Sequence, residues 1–158
     1  MEIDNDFLRY DTRGLDGARV TAAHEFHHMV QLGTYGFWDT ERWIHEMSST
    51  YFEEAVYPEI NDYFQYIGTF MRKTDLPMYA WSPDGYELVL WPIFLEHKYG
   101  NVLIREIWEG MRQIEPVTAT RDAIRDHHVR VSLCQAGENR AVVRVHDFLR
   151  LPDPRIHA

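Results

Sequence analysis

Thr21-Ala22-Ala23-His24-Glu25-Phe26-His27-His28-Met29-Val30-Gln31 is the stretch on which the reading of this chain turns. It contains His24-Glu25-x-x-His28, the H-E-x-x-H pattern of zinc hydrolases. On a helix, residues four apart lie one above the other, so His24 and His28 can point their imidazoles at one metal ion. Glu25, beside the first ligand, is placed to act as general base on a water that the metal activates. Ala22, Ala23, Phe26, Met29, Val30 and Leu32 predict an apolar, largely buried helix. Charged and polar side chains are rarely buried without partners, and a metal gives His24, Glu25 and His28 such a partner. His27 is also a helical neighbour of His24. His28 is preferred because only its spacing also places the glutamate.

A two-histidine zinc site needs a third protein ligand if one tetrahedral position is to remain open to water. The next predicted helix starts with Asp39 or Thr40 as its cap and ends at Tyr57, before Pro58. It carries Glu46 and, two turns on, Glu53. Glu46 is the first candidate for the third ligand, with Glu53 and His27 as alternatives. Glu53 also suits a carboxylate that orients a ligand imidazole, and the Thr50 hydroxyl is placed for the same task. Glu54 reads as solvated. His45 lies about 100° around the helix from Glu46 and reads as a local hydrogen-bonding residue.

The chain has 158 residues, enough for one domain with a real core. Its net charge of −9 argues against nucleic acid and anionic membrane surfaces as partners. The single cysteine, Cys134, excludes an internal disulfide framework. No apolar run is long enough to span a bilayer, and Met1–Asp6 has no signal-peptide character.

In chain order, residues 2–10 read as an extended piece or short edge strand. Asp16 or the loop before it caps the first helix, predicted over Gly17–Leu32 with Gly33 just past its end. Residues 59–73 predict one or two short helices with Gly68 as a break, their aromatics chiefly core. Ser82 and Pro83 open a helix to Tyr99, kinked or divided at Pro92. Tyr86, in its first turn, is the candidate donor to the oxyanion of a tetrahedral intermediate, ahead of His97. Asn101 caps an amphipathic helix over Val102–Gln113, and Thr120–Asp126 forms one more. Beyond His127 the character changes. Val129–Cys134 and Arg140–Val145 alternate like strands around Gly137, either as a C-terminal hairpin or as residues foreign to the parent domain. His127 and His128 read as exposed loop histidines.

Four ordered segments carry a resemblance: Ile3–Phe7, Val20–His28, Trp43–Glu54 and Val56–Tyr63. Together they resemble the MXAN-type metallopeptidases of bacteria and archaea and, more loosely, the glutamate-zincins, over about residues 2–125. The resemblance implies a secreted, extracellular zinc endopeptidase acting on peptide or protein substrates. It implies His24 and His28 as zinc ligands, Glu46 as the third and Glu25 as base. The chain departs from the pattern in three ways. Glu46-Met47-Ser48-Ser49 stands where the family usually has Glu-Gly-x-Ala, His27 where it usually has an aromatic, and family members are longer, with an export signal.

The expected fold is therefore mainly α, a helical zincin-type metallopeptidase core with little β: a short N-terminal strand and a C-terminal hairpin. Residues 1–126 form the metallopeptidase domain, expected to be a fragment of a longer one, and residues 127–158 a tail. Two other functions compete with hydrolysis: metal binding without catalysis, and a helical interaction domain without metal. The sequence leaves the oligomeric state and substrate specificity open.

Overall fold

The computed structural model describes residue 4 and residues 6–80, 84–126, 133–136 and 140–143. It is mainly helical: α1 (Gly14–Val30), α2 (Arg42–Val56), α3 (Phe64–Met71), α4 (Leu90–Tyr99), α5 (Val102–Gly110) and α6 (Pro116–Asp126). Short 3-10 turns at Asp39–Glu41 and Tyr86–Val89 lead into α2 and α4. Two strands, β1 (Leu133–Ala136) and β2 (Arg140–Val143), pair antiparallel with Leu133 opposite Val143. The remaining residues of the expected strands, together with His127 and His128, lie outside the described residues. Among the described residues, no helix is long and apolar enough to cross a membrane.

The helix buried on nearly every face is α2. Trp43, Ile44, Met47 and Tyr51 form its apolar stripe. Trp43, Ile44 and Met47 join the core with Phe70, Leu88, Trp91 and Leu95, and with Leu103, Ile107, Trp108 and Met111 of the α5 segment. Ile44 and Met47 are almost fully enclosed. Each contributes roughly 1.5–3 kcal/mol through burial. The opposite side of α2 carries His45, Ser48, Ser49, Thr50 and Glu53, buried as well. Small hydroxylic residues there allow α1 to pack close.

The expectation of a largely buried apolar α1 is corrected. Its buried residues are Gly17, Val20, Ala23 and His24, followed by Gln31 in the next turn. Phe26, Met29 and Leu32 are exposed, as is Leu15. Apolar residues at 22, 26 and 29 share the face opposite to 20, 24, 27 and 31, so the polar stripe turns inward. Hydrogen bonds to α2 make that stripe tolerable.

Several boundaries differ from expectation for local reasons. α1 passes into a π-helical turn over Gln31–Tyr35, and Gly36 rather than Gly33 ends it, with φ +91° and its N–H donating to Gln31 O (3.0 Å). Asp16 does not cap the helix; it lies in the first turn and pairs with Arg19 at 2.9 Å. Neither Asp39 nor Thr40 caps α2, because the 3-10 turn places Glu41 at that position. The expected N-terminal strand is not formed among residues 4 and 6–10. There the Asp4 carboxylate accepts the N–H groups of Asp6 and Phe7, both at 2.9 Å, and bends the chain. Gly68 does not interrupt α3. The expected helix to Tyr99 is divided, two residues before Pro92, into the Tyr86–Val89 3-10 turn and α4, so the proline falls in the first turn of α4, where no N–H is needed. The Ser82–Pro83 cap lies outside the described residues. α5 ends at Gly110 and α6 begins earlier than expected, at Pro116. There the Glu115 carboxylate accepts the Val117 N–H at 3.2 Å and bonds the Thr118 hydroxyl.

Candidate metal centre

α1 and α2 cross so that three side chains meet. His24 Nε2 and His28 Nε2 are 3.0 Å apart, and Glu46 Oε2 is 3.1 Å from the first and 3.2 Å from the second. The three form a group able to hold a metal ion. His24 and His28 come together because they are one helical turn apart. Glu46 reaches them because it follows the buried Trp43–His45 turn that locks α2 into the core.

The other nitrogen of each ring is anchored. His24 Nδ1–H donates to Glu53 Oε1 at 2.6 Å, and His28 Nδ1–H faces Gln31 Oε1 at 2.9 Å and Ser49 Oγ at 3.1 Å. Both Nε2 lone pairs are thereby turned towards a carboxylate oxygen. Two imidazole lone pairs and a carboxylate at such distances repel unless positive charge lies among them, either a proton or a metal ion.

The electrostatics of the metal-free chain follow. Burial alone would lower the pKa of His24, but hydrogen bonds to Glu46 and Glu53 outweigh it and raise it to about 9. For His28, burial is likewise outweighed by Glu46 and Gln31, and its pKa rises. Burial would raise Glu46, yet the two imidazoles hold it well below the usual carboxylate range. Glu53 is pushed up by burial against the pull of His24.

Expected alternatives to Glu46 occupy other places. Glu53 lies on the Nδ1 side of His24, as the orienting carboxylate. His27 packs between α1 and α2, stacked on Phe52 with ring centroids 4.8 Å apart, and its Nδ1 accepts from Gln31 Nε2 at 2.8 Å. Burial, and then the charge of His28 and His24, lower its pKa to about 3, so it stays neutral. His45 is fixed by the Trp38 N–H, which donates to its Nε2 at 3.1 Å, and burial lowers its pKa to about 4. Thr50 turns its hydroxyl to the Glu46 carbonyl (2.9 Å) rather than to a ligand.

A cavity of 230 Å³ adjoins the group, and His24, Glu25, Glu53 and Tyr86 all line it. The Tyr86 ring lies 5.8 Å from that of His24, centroid to centroid. Burial and the Glu46 charge raise its pKa, so the phenol keeps its proton at neutral pH. Gly85 brings it there. Its φ is +67°, and a Cβ on it would stand 2.4 Å from Trp43 O, so only glycine lets this turn lie against the first turn of α2.

Gln31 is the residue that sequence reasoning missed. Its side chain is buried and bonds both His28 and α2, with Nε2 donating to His45 O at 3.0 Å and Ser49 Oγ at 3.1 Å. The available signal was its position one turn beyond His28 on the histidine face.

Comparison with protein-family models, curated proteins and solved structures gives no match for this chain.

Proposed function

We propose that this chain is a zinc-dependent metalloendopeptidase scaffold, with His24, His28 and Glu46 as ligands. The observation that carries the reading is the convergence of their three ligand atoms at 3.0–3.2 Å, beside a cavity that Glu25 and Tyr86 also line. Tetrahedral zinc with bonds of 2.0–2.1 Å sets its ligand atoms roughly 3.3 Å apart, so a small outward movement seats the ion. Two neutral imidazoles and one carboxylate leave one coordination position open, the donor set of catalytic zinc. When bound, zinc supplies a Lewis acid that polarises the scissile carbonyl and acidifies water. Glu25 accepts the proton of the attacking water and passes it to the leaving amine. Tyr86, protonated and facing the same cavity, donates to the carbonyl oxygen as negative charge develops there. Glu53 holds the His24 ring in place.

The test is metal stoichiometry by elemental analysis alongside casein cleavage, for wild type, Glu25→Gln and His28→Ala. Wild type is expected to hold close to one zinc and cleave. Glu25→Gln should keep zinc and lose cleavage, and His28→Ala should lose both. A Glu25→Gln protein that cleaves at the wild-type rate would sink the mechanism. Zinc bound by a wild type that cuts nothing would reduce the function to metal binding.

A further inference from the structure

We propose that the 230 Å³ cavity beside the metal group is a specificity pocket for one cationic side chain, lysine or arginine, of the peptide substrate. This inference rests on the peptidase reading above. The volume is the first argument. Sites for whole small-molecule ligands span roughly 300–1,000 Å³, so this cavity suits a single side chain.

Its walls give the chemistry. Tyr66 and Tyr86 stack with centroids 5.4 Å apart and planes 17° from parallel, and Phe7 and Tyr10 line the cavity with them. Aromatic walls take the alkyl stem of a long side chain and attract a cation to the ring face. Glu25, Glu53 and Asp62 also line the cavity, and among the described residues no lysine or arginine does. None of the ion pairs among the described residues brings a lysine or arginine to these three.

The charge count has to include the ion. A divalent metal is offset by Glu46 and Glu25, and Glu53 is engaged by His24 at 2.6 Å. Asp62 is left. One of its oxygens, Oδ2, accepts from Gln65 Nε2 at 2.8 Å, and Gln65 also lines the cavity. Its other oxygen is the acceptor for an ammonium or guanidinium group. A neutral side chain of the same length would fill the same space without that ion pair.

The test measures binding, apart from turnover. N-acetyl-lysine amide, N-acetyl-norleucine amide and N-acetyl-glutamate amide are titrated into the full chain with zinc added, followed by NMR. Lysine amide is expected to bind about tenfold more tightly than norleucine amide, and glutamate amide more weakly than either. In Asp62→Asn the lysine-to-norleucine ratio should fall to about twofold, and Asp62→Glu should restore it. Equal binding of the lysine and norleucine amides, binding of neither, or a ratio that Asp62→Asn leaves unchanged would overturn the pocket. Casein cleavage judges the peptidase reading separately. A chain that shows Asp62-dependent lysine binding but cuts nothing keeps the pocket and loses the peptidase. A chain that cleaves without the preference does the reverse.

Discussion

The side-chain oxygen of Gln31 lies 2.9 Å from His28 Nδ1, on the far side of the imidazole from Glu46. Its orientation is fixed chemically. Gln31 Nε2 faces the His45 carbonyl at 3.0 Å, and a carbonyl only accepts, so the amide oxygen must be the atom turned to His28. His28 therefore carries its proton on Nδ1 and offers Nε2 to the metal. Gln31→Leu should weaken zinc binding by roughly 10–100-fold, while Gln31→Glu, which still accepts from Nδ1 but turns a second oxygen to the His45 carbonyl, should restore only part of it. Competition against a chelator of known affinity measures both. Unchanged affinity in a folded Gln31→Leu protein would show that the amide does not set the ring.

Glu46 and Glu53 both reach His24, but at opposite ring nitrogens, Nε2 at 3.1 Å and Nδ1 at 2.6 Å. This predicts different losses. Glu46→Ala should remove the third ligand and leave zinc well below one per chain. Glu53→Ala should keep the stoichiometry and lower affinity by about tenfold or more, because only the orientation of the ring is lost. Elemental analysis after dialysis against dilute chelator separates the two. Equal retention in both variants would dismiss Glu46 as ligand.

The metal group was legible because each of its parts is a local pattern. His24 and His28 are set by helical spacing, and Glu46 by its place on the following helix. The environment was less legible. Counting Phe26, Met29, Val30 and Leu32 suggests a buried helix, yet burial depends on which face meets α2. The buried face of α1 is the one that bonds Ser49 and Glu53. That choice belongs to the partner helix, which local periodicity does not see. Gln31 escaped for the same reason: a lone glutamine gains meaning only when His28 and His45 are known to lie on either side of it. The ends of α1 and α4 moved because a π-helical turn and a 3-10 turn intervene, and neither has a strong residue signature.

Zinc uptake should release protons, by an amount that depends on pH. In the metal-free chain the His24 pKa is raised above its ordinary 6.5 to about 9, so the ring is charged at pH 7 and must lose a proton to bind metal. A raised histidine pKa stabilises the metal-free fold fully below 6.5, and that stabilisation disappears as pH rises through about 9. On the proposed reading zinc takes the place of this proton, so the loaded fold does not depend on it. The difference in Tm between zinc-loaded and metal-free protein should therefore grow between pH 6.5 and 9. Titration calorimetry at pH 7 in two buffers of different ionisation enthalpy should show close to one proton or more released per zinc. No proton release would mean that His24 is already neutral in the metal-free chain.

Gly85 holds the Tyr86 turn against α2, and its replacement should be costly. The Cβ of an alanine there would meet Trp43 O at 2.4 Å, Trp43 Cα at 2.7 Å and Trp43 C at 2.9 Å, all backbone atoms of a buried helix that cannot swing aside. Its φ of +67° adds about 1–2 kcal/mol for any residue with a Cβ. Gly85→Ala should destabilise the chain by roughly 2–4 kcal/mol in urea unfolding. Gly33 is the control. A Cβ on it meets nothing within 4 Å, and its φ is not positive. Gly33→Ala should leave stability unchanged or raise it by up to about 1 kcal/mol, since alanine is the better helix former and restricts the unfolded chain. Equal effects at the two sites would mean that the turn carrying Tyr86 is not clamped to Trp43. Tyr86 would then have no fixed position over His24.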